Sequence, residues 1–231
     1  MILSAENLSK EYIRNGSSFY AVKDAHFMVD KSDYIGIIGC SGSGKSSLLR
    51  LLCGLSRPTA GMVKWKEKSL KAGAEDELPA IAPGKIGYVS QGMELLDAFT
   101  VIENVCMPYF LQKQKADIKK ATNMLEQVGL GKMIHAFPSE LSGGECRRAA
   151  IIRALIMQPA VLIADEPTGS LDEKNAGKII ELLRQIHEEG VAVIMSTHDT
   201  RMLLDVNRIF QMQDGKLTEE RMEKSYGNQK Y

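Results

Sequence analysis

Residues 39–46 read GCSGSGKS and match the pattern G-x-x-x-x-G-K-[ST] in full. They follow the strand-like run Tyr34–Ile38 and lead into Ser46–Leu52, whose leucines predict a helix. Glycines let the backbone wrap an anion with its N–H groups pointing inward, and a helix start adds positive potential. In this pattern Lys45 reaches the outer phosphates of a nucleotide and the Ser46 hydroxyl ligates Mg²⁺. The alternative is a glycine-rich turn with an exposed lysine. We expect phosphate contacts from Gly39, Cys40, Ser41, Gly42, Ser43, Gly44, Lys45, Ser46 and Ser47.

An acidic pair follows the apolar run Val161–Ala164. A phosphate loop is usually accompanied by an acidic residue at the end of a buried strand, where it holds Mg²⁺. Asp165 occupies that position and is predicted to hold the metal through a water molecule. Glu166 lies where a general base for an attacking water is expected. Two solvated acids in front of Pro167 are the alternative.

A second glycine-rich helix start is predicted at Leu141-Ser-Gly-Gly-Glu145. Ser142 with Glu145 three residues later forms a capping box, so a helix begins here. Gly143 and Gly144 have no side chains to shield the first free N–H groups, which suits a phosphate. The chain thus has two anion sites but only one with a lysine. One explanation is that the second site serves a nucleotide bound to another copy; an ordinary capped helix is the other.

The order of the predicted elements indicates an α/β protein. Strands are expected at Ile86–Ser90, Val161–Ala164, Val191–Met195 and Ile209–Met212, and helices at Ala116–Val128, Glu145–Met157 and Glu173–Glu189. Strands that alternate with helices predict a mainly parallel sheet. In the last helix, Ile179, Ile180, Leu182, Leu183 and Ile186 are predicted to share one face. Two strands flanking a turn at Asn15-Gly16, a polar loop over Lys68–Gly84 and a loose tail from about Lys224 complete the prediction.

Composition excludes several classes of protein. Among 231 residues, 29 Lys and Arg balance 29 Asp and Glu, which argues against a nucleic-acid partner, so none is expected. No apolar run reaches the roughly 18 residues of a membrane span, and the first residues predict no signal peptide. The four cysteines show no metal-binding spacing and fit a reducing, intracellular compartment.

With these motifs in order, the chain resembles ATP-binding-cassette (ABC) ATPases. The run LSGGECRRAAIIRAL, residues 141–155, is similar to the signature of that family, and the resemblance extends over residues 2 to about 217. It implies a single ABC domain over 1–231: a P-loop NTPase with a mainly parallel core sheet, an N-terminal antiparallel β subdomain and an inserted α-helical subdomain at about 92–158. It also implies ATP and Mg²⁺ as ligands and a head-to-tail homodimer. Each ATP then contacts one copy's phosphate loop and, from the other copy, Ser142, Gly143, Gly144, Glu145 and Asp172.

The resemblance assigns roles to further residues. Tyr12 matches the aromatic residue that stacks on adenine, with Tyr20 a weaker candidate and a core tyrosine the alternative. Gln91 matches the glutamine that contacts Mg²⁺ and the attacking water, and His198 the histidine that contacts the γ-phosphate. Either of these is otherwise an ordinary loop or strand-end residue. Asp172 matches a loop that couples the two sites and also reads as a helix N-cap.

Residues 99–108 and 167–172 resemble the branch that serves lipoprotein release, macrolide efflux and antimicrobial-peptide resistance. That branch implies an integral membrane permease as partner and a cytoplasmic protein at the inner face of the membrane. A permease helix would enter a groove lined by Met93, Leu95, Leu96, Phe99, Met107, Tyr109 and Phe110, unless most of these are core residues. An ABC ATPase that relays force without transport, or one that acts on nucleic acid, remains an alternative. A small-molecule kinase would leave LSGGE and His198 unexplained.

Three departures from the family pattern stand out. Glu145, Cys146 and Arg147 take the places where Gln, Arg and Gln are more usual. Cys40 lies inside the phosphate loop at a helix N-terminus, a setting in which cysteine thiols are often reactive. Redox control through Cys40 is therefore a hypothesis, and a simple small-residue role is the alternative.

Overall fold

The structure, a computed structural model, describes residues 1–14, 16–66, 68–71, 84–92 and 95–220. The chain divides into two compact units, the first from residues 1–83 and 192–231 and the second from 84–191. The helical subdomain predicted at about 92–158 falls within the second unit. Asn15 of the predicted turn and the predicted tail lie outside the described residues.

The elements are as follows, in chain order. They are β1 (Leu3–Arg14), β2 (Ser17–Val29), β3 (Tyr34–Ile38), α1 (Lys45–Leu52), β4 (Ala60–Trp65), β5 (Lys68–Lys71), β6 (Ile86–Val89), α2 (Val101–Leu111), α3 (Ile118–Gln127), α4 (Gly143–Leu155), β7 (Val161–Asp165), α5 (Glu173–Glu188), β8 (Ala192–Ser196), β9 (Arg208–Gln213) and β10 (Lys216–Glu220). No helix within these described ranges is both long enough and apolar enough to cross a bilayer.

An antiparallel sheet of the first unit has the strand order β2-β1-β4-β5. Its presence confirms the predicted N-terminal β subdomain. The prediction of a loop throughout Lys68–Gly84 is wrong at Lys68–Lys71, which form β5. Leu70 is fully buried there and pairs with Val63 of β4. One apolar residue in a polar stretch is too little for an alternating pattern, so the strand depends on its neighbour.

The parallel strands of the first unit position the phosphate loop. β3 pairs with β8 and β9 in parallel, while β10 pairs with β9 in antiparallel orientation. Tyr34, Ile35 and Ile37 are almost fully buried, as expected for a strand covered on both faces. α1 buries Leu48, Leu49, Leu51 and Leu52, each worth about 1.5–3 kcal/mol. Strand and helix therefore hold both ends of the loop between them.

The second unit combines the parallel pair β6–β7 with the four helices α2 to α5. α4 contacts α2, β6, α5 and α3, and therefore lies at the centre of this unit. The predicted apolar face of α5 is too wide. Ile179, Leu183 and Ile186 are buried, but Ile180 and Leu182 are only half-buried. The neighbours of α5 cover a narrower stripe than its sequence offers.

Candidate functional site

The phosphate loop, residues 39–47, takes a backbone conformation that only glycine accepts at several points. Gly39, Gly42 and Gly44 have φ angles of 152°, 78° and 112°. A Cβ on Gly44 would lie 1.9 Å from the carbonyl oxygen of Ala21, and one on Gly39 would lie 2.2 Å from that of Met212. At Gly39 and Gly44, both the backbone conformation and the close packing therefore require glycine.

Polar groups of this loop fit an anionic ligand. The Lys45 side chain is 5% exposed, and its Nζ donates to the carbonyl oxygens of Gly39 at 2.7 Å and Cys40 at 3.0 Å. The buried Ser43 Oγ has no hydrogen-bond partner among the described residues. α1 has no side-chain cap and no acid in its first turn, so its first N–H groups are left for a ligand. A cavity of about 440 Å³ adjoins the loop, between residues 39–43 and 211–214.

Tyr12 and His198 also belong to the first unit. Tyr12, 37% exposed, lies opposite Phe19 on the paired strand, with ring centroids 5.9 Å apart. The Lys10 Nζ lies 5.2 Å from the centroid of the Tyr12 ring, and the nearby Tyr20 is exposed as well. His198 is exposed just after β8. An exposed aromatic ring is suited to stacking on a base.

The acidic strand end of the second unit joins two of the predicted catalytic residues. Asp165, 1% exposed, ends β7, whose residues are all buried. Glu166 has a φ of 46°, a left-handed conformation that is uncommon for a residue with a side chain. The Gln91 Nε2 donates to Glu166 Oε2 at 2.8 Å. Gln91 and Glu166 are therefore in direct contact, whereas the sequence predicted only that each belongs to the site.

The second helix start, residues 142–145, is a complete capping box. The Ser142 N–H donates to Glu145 Oε2 at 2.8 Å, and the Ser142 hydroxyl donates to the same oxygen at 2.6 Å. These hydrogen bonds, helped by the charges of Arg148 and Lys178, lower the pKa of Glu145. Ser142 and Gly143 are exposed, so the helix end is open to a ligand. The predicted N-cap at Ser142 is confirmed, with α4 beginning at Gly143.

Asp172 caps α5 and connects it with this helix start. It accepts from the Asn175 backbone N–H at 2.9 Å and from the Asn175 side-chain amide at 2.6 Å, and these bonds lower the pKa of Asp172. A Cβ on Gly144 would lie 2.7 Å from Cγ of Asn175. Sequence reasoning missed Asn175. Its position three residues after an N-cap aspartate was the available signal.

Arg147 is a second residue whose role sequence reasoning missed. It is 6% exposed, and its NH1 donates to the Ser90 carbonyl oxygen at 2.9 Å. The only signal in the sequence was that arginine stands where glutamine is more usual. No spacing rule predicts which distant backbone a buried arginine reaches.

A groove of about 360 Å³ lies elsewhere in the second unit, and Leu96 and Met107 of the predicted permease-contacting residues line it. Arg153 and Gln112 add polar groups to its wall. Leu95 and Tyr109 are buried, so these two are core residues rather than residues of the groove surface. Phe99 and Phe110 are exposed, and Met93 lies outside the described residues.

No group of three or more His, Cys, Asp or Glu side chains in the described ranges is arranged as a metal site. Of the candidate metal ligands, Ser46 is the second residue of α1 and Asp165 is the last residue of β7.

Comparison with known proteins gives the chain its family. The family model described as ABC transporter matches residues 22–169. A dimeric post-hydrolysis structure of the ATP-binding cassette MJ0796 bound to ADP and Pi is 33% identical, with a TM-score of 0.87, and covers 96% of this chain and 99% of that one. A dimeric structure of MJ0796, a bacterial ABC transporter cassette, matches with the same values. A nucleotide-free ATP-binding cassette from an ABC transporter is 26% identical, with a TM-score of 0.81, over 98% of this chain and 94% of that one. The chain belongs to the ABC transporter family and is an ATP-binding cassette ATPase with the predicted α/β fold.

Proposed function

We propose that two copies of this chain close head to tail on two ATP molecules and that hydrolysis drives a separate membrane permease. The observation that carries the proposal is the pair of glycine-rich helix starts, of which only the phosphate loop has a lysine. Residues 142–145 include the exposed Ser142 and Gly143 but no cation of their own at the helix start. A nucleotide already held by the phosphate loop of another copy fits this half-site.

Each proposed residue has one task. Glu166 accepts a proton from the water that attacks the γ-phosphate, and Gln91 and His198 orient that water. Lys45 neutralises charge on the outer phosphates, and Tyr12 stacks on adenine. The uncapped start of α1 and the buried Lys45 fit a bound triphosphate, as does the Ser43 hydroxyl, which has no partner in the described part of the chain. Ser46, Gln91 and, through a water molecule, Asp165 would hold Mg²⁺, which would supply further neutralisation of phosphate charge.

The substitution Glu166→Gln tests the proposal most directly. We expect the variant to bind ATP but to hydrolyse it roughly 10²–10⁴-fold more slowly, because the amide cannot accept the proton. With hydrolysis blocked, the ATP-bound dimer should accumulate in size-exclusion chromatography, and removal of ATP should dissolve it.

The matched control is Glu173→Gln, an exposed acid in the first turn of α5. It should hydrolyse ATP at the wild-type rate. Wild-type turnover by Glu166→Gln would remove Glu166 from the role of base. A Glu166→Gln protein that stays monomeric with saturating ATP would refute the head-to-tail dimer.

The partner is proposed to be an integral permease of the branch that exports lipoproteins, peptides or drugs, which would place the chain at the inner face of the cell membrane. The groove at Leu96 and Met107 is the proposed contact, because it joins an apolar floor to polar groups of Arg153 and Gln112. Co-purification with the permease should be lost in Met107→Glu while ATP binding is retained. Retained co-purification would exclude the groove as the contact.

A further inference from the structure

Arg147 occupies a buried position one helical turn into α4 from Gly143. A buried guanidinium is tolerated only when hydrogen bonds compensate its loss of water. The 2.9 Å bond from its NH1 to the Ser90 carbonyl oxygen provides part of that compensation. Moving either group alone would break this bond inside the protein, so the start of α4 and residue 90 are held together.

Ser90 is bonded covalently to Gln91, whose amide donates to Glu166 at 2.8 Å. A continuous connection therefore runs from the exposed helix start to the proposed base, entirely within the second unit. Its links are a turn of helix, a buried charge-assisted hydrogen bond, one peptide unit and a side-chain hydrogen bond. Rigid links of this kind carry displacement, because packed interiors deform little.

We propose that Arg147 is a positioning residue that couples the two nucleotide sites of the dimer. The inference rests on the proposed function, in which residues 142–145 of one copy contact the nucleotide of the partner. When that contact forms, Arg147 transmits the displacement of α4 to Ser90 and so resets Gln91 against Glu166 of the same copy. Each copy's base then responds to the nucleotide held by the other copy.

The test is ATP hydrolysis as a function of ATP concentration for wild type, Arg147→Met and Arg147→Lys. We expect the wild type to be cooperative, with a Hill coefficient approaching about 2 for two coupled sites. Arg147→Met should lose about tenfold in kcat, and its Hill coefficient should fall towards about 1. Arg147→Lys should recover part of both values, because an ammonium group can also donate to a carbonyl oxygen. The Kd for ADP should change less than about twofold, since the phosphate loop belongs to the other unit.

Arg184→Met is the matched control, since it removes a guanidinium from α5 of the same unit, where Arg184 donates to Glu181 and Glu188. It should keep wild-type kcat and cooperativity in the isolated protein. Arg147 should also act through Gln91. In a Gln91→Ala background, the added Arg147→Met substitution should therefore leave the residual rate unchanged, whereas a merely structural arginine would lower both backgrounds by the same factor.

Wild-type kcat and cooperativity in Arg147→Met would overturn the inference. The inference would also be overturned if Arg147→Met lowered the rate by the same factor in the wild-type and Gln91→Ala backgrounds, even if the variants are less stable. A Glu166→Gln protein that stays monomeric with saturating ATP, together with a wild type that shows no cooperativity, would refute the proposed function itself. That failure appears with Arg147 in place, while failure of the inference alone appears only in the Arg147 variants.

Discussion

The phosphate loop and the second helix start both present glycines at the N-terminus of a helix, but they are built differently. Gly39, Gly42 and Gly44 have positive φ angles, and α1 begins without a side-chain cap or an acid. α4 begins with an extended Ser142, with φ of −68°, capped by its own Glu145. The start of α1 leaves its N–H groups for a ligand, whereas at the start of α4 the Glu145 N–H donates to the Ser142 hydroxyl oxygen.

This difference means that the phosphate loop contains more of what an anion site needs than residues 142–145 do. The phosphate loop has a buried lysine, whose Nζ donates to the loop backbone, so it can hold phosphate within one chain. At the start of α4, the Glu145 carboxylate in the first turn partly cancels the positive potential of the helix N-terminus. The second site therefore suits an anion whose charge is already partly neutralised elsewhere, as in the proposed dimer.

The comparison is tested most sharply by alanine at one glycine of each site. Gly44→Ala should lower ATP affinity by more than about 100-fold or prevent folding, because its Cβ would lie 1.9 Å from the Ala21 carbonyl oxygen. Gly143→Ala should fold and should bind ATP normally at its own phosphate loop, since among the described residues the new Cβ would meet only Leu171 Cδ2, at 3.7 Å. Isothermal titration calorimetry and circular dichroism measure both effects. Similar losses in the two variants would show that the helix starts are not built differently.

Gly144→Ala should have an effect on folding that lies between the effects of Gly44→Ala and Gly143→Ala. Its Cβ would lie 2.7 Å from Cγ of Asn175, whose amide is held by Asp172. Overpacking of this kind costs about 1–3 kcal/mol, measurable by urea denaturation. Asn175→Ala should restore part of the loss, because it removes the Cγ and Oδ1 atoms of residue 175 but keeps its Cβ, which would lie 3.0 Å from the new Cβ. The backbone N–H of residue 175 still donates to Asp172. If the double variant is no more stable than Gly144→Ala, the predicted clash is not the cause.

The smallest expected effect is a dependence on pH. Hydrogen bonds from Ser142 lower the pKa of Glu145 in the folded chain. The capping box therefore stabilises the fold fully above the ordinary glutamate pKa of about 4.3, and this contribution is lost as pH falls towards the lowered value. Glu145→Gln should reduce stability by about 1 kcal/mol or less at neutral pH. The difference in Tm between wild type and variant should shrink below about pH 4, and a pH-independent difference would contradict the assignment.

Much of the site was predictable because its determinants are local. The run from Gly39 to Ser46 carries its own glycines, lysine and flanking elements, and the capping box needs only Ser142 and Glu145. The N-cap at Asp172 was also predicted from spacing within one turn. β5 and the narrow buried face of α5 were not predicted, since each depends on what packs against it. The roles of Asn175 and Arg147 were missed for the same reason.

The sequence by itself determined that this chain contains a phosphate loop, a second helix start and an acidic strand end, because short-range backbone geometry and hydrogen bonding specify each of them. Only the tertiary structure decided that Gln91 meets Glu166, that Arg147 reaches Ser90 and that Gly144 packs on Asn175. These pairs are separated along the chain by between 31 and 75 positions. Contacts at such separations are selected by the packing of whole helices and strands, which no local pattern encodes.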